Sequence, residues 1–436
     1  MKTIFNTLKA IMMIACMITL SSGEGRGAPS WQEARFGAVG FSIGSMGYIG
    51  TGLGYINNVL AFKKDLWEYN PATDSWTQKA DLGGVGRAHA TGLSIGNKGY
   101  IGLGQDDYGV FSDFWEYDPV TNTWLQKADF PGLARKNAPG FSIGNKGYLG
   151  TGLVFYPGEP PLHLQDFWEY DPTVNAWLQK ADFPGAARFA AAGFSINAKG
   201  YLGTGATWLS DTEYIHYTDF YEYNPVNDIW IIKAPFAGAA RYCAAGFGIG
   251  SKGYIGTGSN NVNFNLLKDF WEYNPANNAW IQKASFKGKA RRYATGFSIG
   301  TRGYIGTGHM GNSYEQDFWE YNQVTNAWTQ KTDLGSKHKG PLKEVDAIAE
   351  TGPANNTDLS VYPNPSNTSF NFRLNTASEE PVSIKLFDMT GRLVYEHTSL
   401  PQDEIITAGD NLGAGVYVAV LTQGACRKSV KLNKVR

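Results

Sequence analysis

At 436 residues the chain is long enough for one large domain and a smaller one. Its 38 Lys and Arg nearly balance 39 Asp and Glu, and the basic residues are scattered, which argues against a nucleic-acid partner or an anionic membrane surface. Three cysteines are too few for a disulfide framework or a Cys-based zinc site.

Taken in chain order, residues 1–23 read as a secretory signal peptide. Lys2 and Lys9 supply the charged region, residues 10–20 the apolar run, and Ser21-Ser22-Gly23 a small-residue cleavage site. The run is too short to span a bilayer, so no membrane span is expected. Met13-Ile14-Ala15-Cys16 also resembles a lipobox, an alternative that would lipidate Cys16. Residues 30–33, with Trp31 out of register with the later tryptophans, read as a lead-in.

From residue 34 a motif recurs six times: Asp-Phe-Trp-Glu-Tyr-Asn/Asp-Pro or a near variant, then a Trp, and farther on Gly-Tyr-Ile-Gly-Thr-Gly. The Trp after the motif falls at 76, 124, 177, 230, 280 and 328, in steps of 48, 53, 53, 50 and 48 residues. Those steps suit propeller blades better than helical solenoids. Each copy divides into four short strands; in the second copy they are predicted at 88–95, 98–102, 113–117 and 123–127. Strand one lacks bulk, as in Ala190-Ala191-Ala192-Gly193, which fits a strand converging on an axis. Gly and Asn at 96–99 and 144–147 supply the positive φ of a tight hairpin.

The Gly-Tyr-Ile-Gly-Thr-Gly segment, the Tyr-Asp/Asn-Pro after strand three and the Trp on strand four resemble Kelch repeats over 34–334, although Gly-Thr-Gly stands where a double Gly is usual. The resemblance implies an all-β fold, a six-bladed Kelch-type β-propeller.

Within it, Arg35, Arg87, Arg135, Arg188, Arg241 and Arg291 recur five residues before the strand-one Gly, and Glu68, Glu116, Glu169, Glu222, Glu272 and Glu320 recur in the strand-three motif. A ring of Arg at a channel mouth could grip a carboxylate or an anionic sugar bidentately, and Arg135, Arg188 and Arg241 are candidate ligand-binding residues on that ground. One Arg and one acid per blade also fits a repeated pair that satisfies buried polar groups, and sixfold recurrence favours that framework role.

What differs between copies is the loop from strand two to strand three, with 12, 8, 13, 13, 10 and 8 residues in blades 1 to 6. Such loops on a rigid scaffold are where recognition is usually placed. They are rich in aromatics and in acids and amides, and Trp208, Tyr108, Tyr156, Tyr217 and Tyr314 are candidate ligand contacts, with Trp208 foremost. The bland alternative is that these rings bury one another at the rim. His163, His216 and His309 also lie in the loops, but no motif spacing marks a metal or acid/base site, and His89 in strand one reads as scaffold.

Residues 335–357 read as a polar linker. From Asp358 the chain turns to longer alternating strands, predicted to form a small Ig-like β-sandwich over 358–436. Pro363-Asn364-Pro365, the stretch 388–392, Gly415-Val416-Tyr417 and a basic C-terminus resemble, in that order, the type A C-terminal sorting domain of the type IX (Por) secretion system. The resemblance implies export across the outer membrane by that machinery, with the passenger released or held at the surface; an adhesive or sugar-binding sandwich is the alternative.

The expected protein is thus an exported, monomeric binding module without cofactor or metal, contacting a glycan or a protein through the loop face. The alternative is a carbohydrate-active enzyme of the epimerase or mutarotase kind at the channel mouth.

Overall fold

The computed structural model describes residues 33–56, 59–155, 160–210, 213–260, 265–311, 313–336, 358–362, 366–375, 382–388, 393–400, 406–423 and 426–435. The signal peptide, Cys16, the Trp31 lead-in, Tyr156 and most of the linker lie outside the described residues. Among those residues every regular element longer than one residue is a β-strand.

Six four-stranded antiparallel sheets follow one another along the chain, each with its strands in sequential order. In the second, Thr91–Ile95, Lys98–Gly102, Phe114–Asp118 and Thr123–Gln126 pair in turn. Strand one starts three residues later than predicted because His89 has φ 58°, which breaks the extended run ahead of it. The alternating burial of strand one and the fully buried Tyr of strand two, Tyr100 at 1% exposure, show that both faces of each sheet are covered. Neighbouring blades supply the cover. A Cβ on Gly303 of blade 6 would lie 2.3 Å from the Phe247 ring of blade 5, so this strand-two glycine is what lets the blades approach. Burying each such Phe contributes about 1.5–3 kcal/mol.

The sheets close into a six-bladed β-propeller, with blade 6 packed on blade 1. Gly40 meets Thr295 and Phe297 of blade 6 as Gly92 meets Val39 of blade 1. At the outer edge one staple repeats at every junction. The left-handed residue of the strand three to four turn (Asp74, Asn122, Asn175, Asp228, Asn278, Asn326) accepts a backbone N–H from the preceding blade. The Trp two residues later donates its Nε1–H to the carbonyl of the same residue. At the closing junction these bonds run from Thr332 N to Asp74 Oδ1 (3.0 Å) and from Trp76 Nε1 to Thr332 O (2.9 Å). Strand exchange between the chain ends is not needed, because side chains and packing latch the ring.

The C-terminal unit has its own core. One sheet orders Asp358–Tyr362, Phe370–Asn375 and Ile406–Ala408; the other orders Leu393–Leu400, Val382–Asp388, Gly415–Gln423 and Cys426–Lys434. Phe370 and Phe372 of the first pack with Ile384, Leu386, Ala419 and Leu432 of the second, which makes a two-sheet sandwich. Lys434 is buried against Phe370 and donates to Gly409 O at 2.8 Å, so its charge is met by a carbonyl and an aromatic face.

Candidate functional site

The residue that follows each repeated Arg pairs with the start of that blade's variable loop: Phe36 with Leu53, Ala88 with Gln105, Lys136 with Leu153, Phe189 with Ala206, Tyr242 with Ser259 and Arg292 with His309. The strand four to strand one connections and the variable loops therefore share one face.

The arginines themselves are framework. All six are wholly buried, and each forms a two-pronged pair with the Asp that opens its own strand-three motif, as in Arg241 to Asp269 at 2.8 and 2.6 Å. Nη1 also donates to the carbonyl of Thr257, and Nε to that of Ala239. The same set recurs at Arg135 and Arg188, whose guanidiniums further lie 4.8 Å over Phe130 and Phe183. Arg135, Arg188 and Arg241, singled out as ligand contacts, thus have their donors turned inward and no surface to offer. The acid partner also differs from the one the repeat suggested. It is the motif Asp, which in five blades takes an indole N–H as well, while the motif Glu accepts the hydroxyl of the strand-two Tyr.

Two residues past each Arg the backbone turns left-handed: Gly37, His89, Asn137, Ala190, Cys243 and Tyr293 all have φ between 52° and 62°. Each of the six donates its N–H to the carbonyl of its counterpart in the preceding blade, and Gly37 donates to Tyr293, so the bonds run head to tail in a closed circle around the axis. Gly37 is required for closeness rather than for φ alone, since a Cβ there would sit 2.7 Å from His89 Nδ1.

This collar and the Ala residues after it enclose an axial cavity of about 160 Å³, and Ala, Gly and Thr of the innermost strands, with Val39 and Pro139, line a second of about 180 Å³. The side chains on the upper cavity are unlike one another: His89, Asn137, Ala190, Cys243 and Tyr293. Burial, then the positive charges of Lys136 and Arg292, push His89 down to about 3, and burial with the charge of Arg292 pushes His309 to about 4. Burial raises the Cys243 thiol to about 12 and lifts Tyr293 well above its ordinary value. None of these four changes protonation near neutral pH.

Two aromatic clusters flank the collar. Over blades 6 and 1, Phe36 packs against Tyr314 (5.0 Å between ring centres), His309, Tyr293 and His89, and Tyr55 meets Tyr314. Over blades 3 to 5, Trp208 lies parallel to Tyr214 (6.0 Å, 3°) and Phe155 (6.1 Å, 12°), with Tyr214 reaching Phe189 and Tyr242. Trp208 N–H donates to His163 Nε2 at 2.9 Å, which fixes that imidazole as an acceptor. Lys136 stands between collar and cluster, donating to Gln105 Oε1 at 2.6 Å and lying 5.7 Å over Phe155. Across the mouth Arg292 donates to Tyr242 Oη at 3.0 Å and to His309 Nδ1 at 3.3 Å.

Of the residues singled out from the sequence, Trp208 and Tyr314 stand in the two clusters. Tyr217 does not join them: its ring covers Arg188 at 4.1 Å and its hydroxyl pairs with Thr207 Oγ1. Tyr108 is 95% exposed on an Asp106-capped turn, apart from both clusters. Sequence reasoning passed over Lys136, Asn137, Tyr242, Arg292 and Tyr293, and set His89 aside as scaffold. A signal was present, because no two blades carry the same pair of residues after the Arg. Among the described residues no group of three His, Cys, Asp or Glu is placed to hold a metal ion.

Residues 360–434 match the family of secretion system C-terminal sorting domains. No curated protein matches the chain. Among solved structures the chain is similar to YjhT, with a TM-score of 0.57 and 16% identity over 69% of this chain and 98% of that one. At that identity the likeness speaks for the propeller fold alone.

Proposed function

We propose, for a chain whose type IX sorting domain directs it to the cell surface or beyond, that the propeller is a binding module for glycans and that its loop face is the contact surface. Entry to the periplasm by the signal peptide at residues 1–23 belongs to the same reading. One observation carries it: over a frame that repeats six times, the side chains that do not repeat are pooled on one face, as aromatic rings beside amides and cations. Flat rings stack on the apolar faces of sugars, and amides and cations bind hydroxyls and acids, so this mixture suits a saccharide. A catalytic reading has less support, because the cavity side chains that titrate are held far from neutral pH, whereas acid/base chemistry needs groups poised near it.

On a glycan array the purified protein is expected to bind a subset of saccharides, and Trp208→Ala to weaken that binding about tenfold or more while leaving the circular dichroism spectrum intact. Absence of binding to every glycan would overturn the reading, and turnover of an aldose or sugar acid would replace it with the enzymatic one.

A further inference from the structure

We infer that the axial mouth is an acid-binding subsite, in which Lys136, with Asn137 and the rim around it, takes the carboxylate of an acidic sugar whose ring rests on the Phe155–Trp208 side of the face. The inference rests on the glycan reading above and adds the class of sugar.

Charge and placement carry it. Lys136 and Arg292 are the two basic residues at this position in the six blades, the other four being Phe36, Ala88, Phe189 and Tyr242, and together they are the cations of the mouth. Among the described residues, the groups that hold the Lys136 ammonium are an amide oxygen and an aromatic face, neither of them an anion. Burial alone pulls it down to about 8, so it remains mostly protonated at neutral pH and its charge is poorly solvated. An ammonium so placed gains most from an incoming carboxylate, since ion pairing strengthens where water is scarce. Next to Lys136, Asn137 lines the cavity, and its side-chain amide can donate to a second carboxylate oxygen. Among the described residues no Asp or Glu lines the cavity to repel an acid. Phe155, against which Lys136 lies, is parallel to Trp208, so ring and acid contacts fall side by side.

The probes are trigalacturonate and its methyl ester, which share a shape and differ in charge, titrated into the full chain by calorimetry. The acid is expected to bind about tenfold tighter than the ester, as one charge-assisted hydrogen bond would give. Lys136→Met should abolish the preference, and Lys136→Arg, which keeps the charge, should retain it. Equal binding of acid and ester by the wild-type protein, or a preference that survives Lys136→Met, overturns the acid subsite while glycan binding on the array stands. Failure of both trimers to bind overturns it too, and only a blank array removes the glycan reading with it.

Discussion

Arg188→Ala will lower the unfolding free energy of the propeller by about 3–5 kcal/mol, the cost of removing one partner of a buried ion pair. The loss arises from what stays behind. Asp219 retains its charge without the guanidinium that met both of its oxygens, and the carbonyls of Thr204 and Ala186 lose their donor. Urea unfolding followed by tryptophan fluorescence measures it. A double variant, Arg188→Met with Asp219→Leu, should recover most of the loss, because no uncompensated charge remains. A single-variant loss below about 1 kcal/mol, the ordinary value of an exposed pair, would show that the pair is not the buried brace described here. The same pairs give an acid limit. Burial would raise the Asp65 carboxyl, but the Arg35 guanidinium and its hydrogen bonds outweigh that and bring it to about 2; Asp113, Asp166 and Asp269 are lowered in the same way. A carboxyl lowered by folding stabilises the protein above its unfolded value near 4, and that stability is lost as pH falls toward 2. Thermal unfolding is therefore expected to change little between pH 7 and 5 and to drop steeply below pH 4.

Deletion of residues 358–436 will abolish delivery to the cell surface and medium and leave the propeller inside the cell envelope. The expected change is close to all-or-none, because a sorting domain is an address read by a machine and not a graded contact. Fractionation and immunoblotting of the periplasm, surface and medium measure it, and an undiminished extracellular signal would remove the assignment. The deletion is not expected to unfold the passenger, since among the described residues the four strands of each blade pair with one another.

The architecture was legible because a blade cannot cover its own faces: a motif that builds one blade must recur until the ring closes, and six Trp at near-constant steps announce it. The C-terminal sandwich was legible from its turns and alternation. The site was legible only in part. Loop length drew attention to the strand two to strand three segments, among them Trp208 and Tyr314, but the connections that carry Lys136, Asn137, Arg292 and Tyr293 hold constant length. Constant length reflects the closed circle of hydrogen bonds, which tolerates no insertion; it says nothing about side chains, and there the copies differ most. The Arg ring misled for the converse reason. Arginine is the residue of choice for gripping a carboxylate, and here it grips one, but the carboxylate belongs to the same blade.

The head-to-tail circle of peptide hydrogen bonds at the collar has a consequence for how such a protein diversifies. Because each peptide unit is satisfied by the next blade, the geometry of the circle is indifferent to what five of its six residues carry, as His89, Asn137, Ala190, Cys243 and Tyr293 attest, while Gly37 is held small by His89 beside it. Each of those five bears a modest conformational strain in its left-handed turn, which the ring as a whole sustains. The collar is therefore a set of five interchangeable mounts around one axis, closed by a glycine. Chemistry at the mouth can be rewritten one residue at a time without reopening the ring, so propellers of identical frame can diverge in ligand while remaining almost superimposable in backbone.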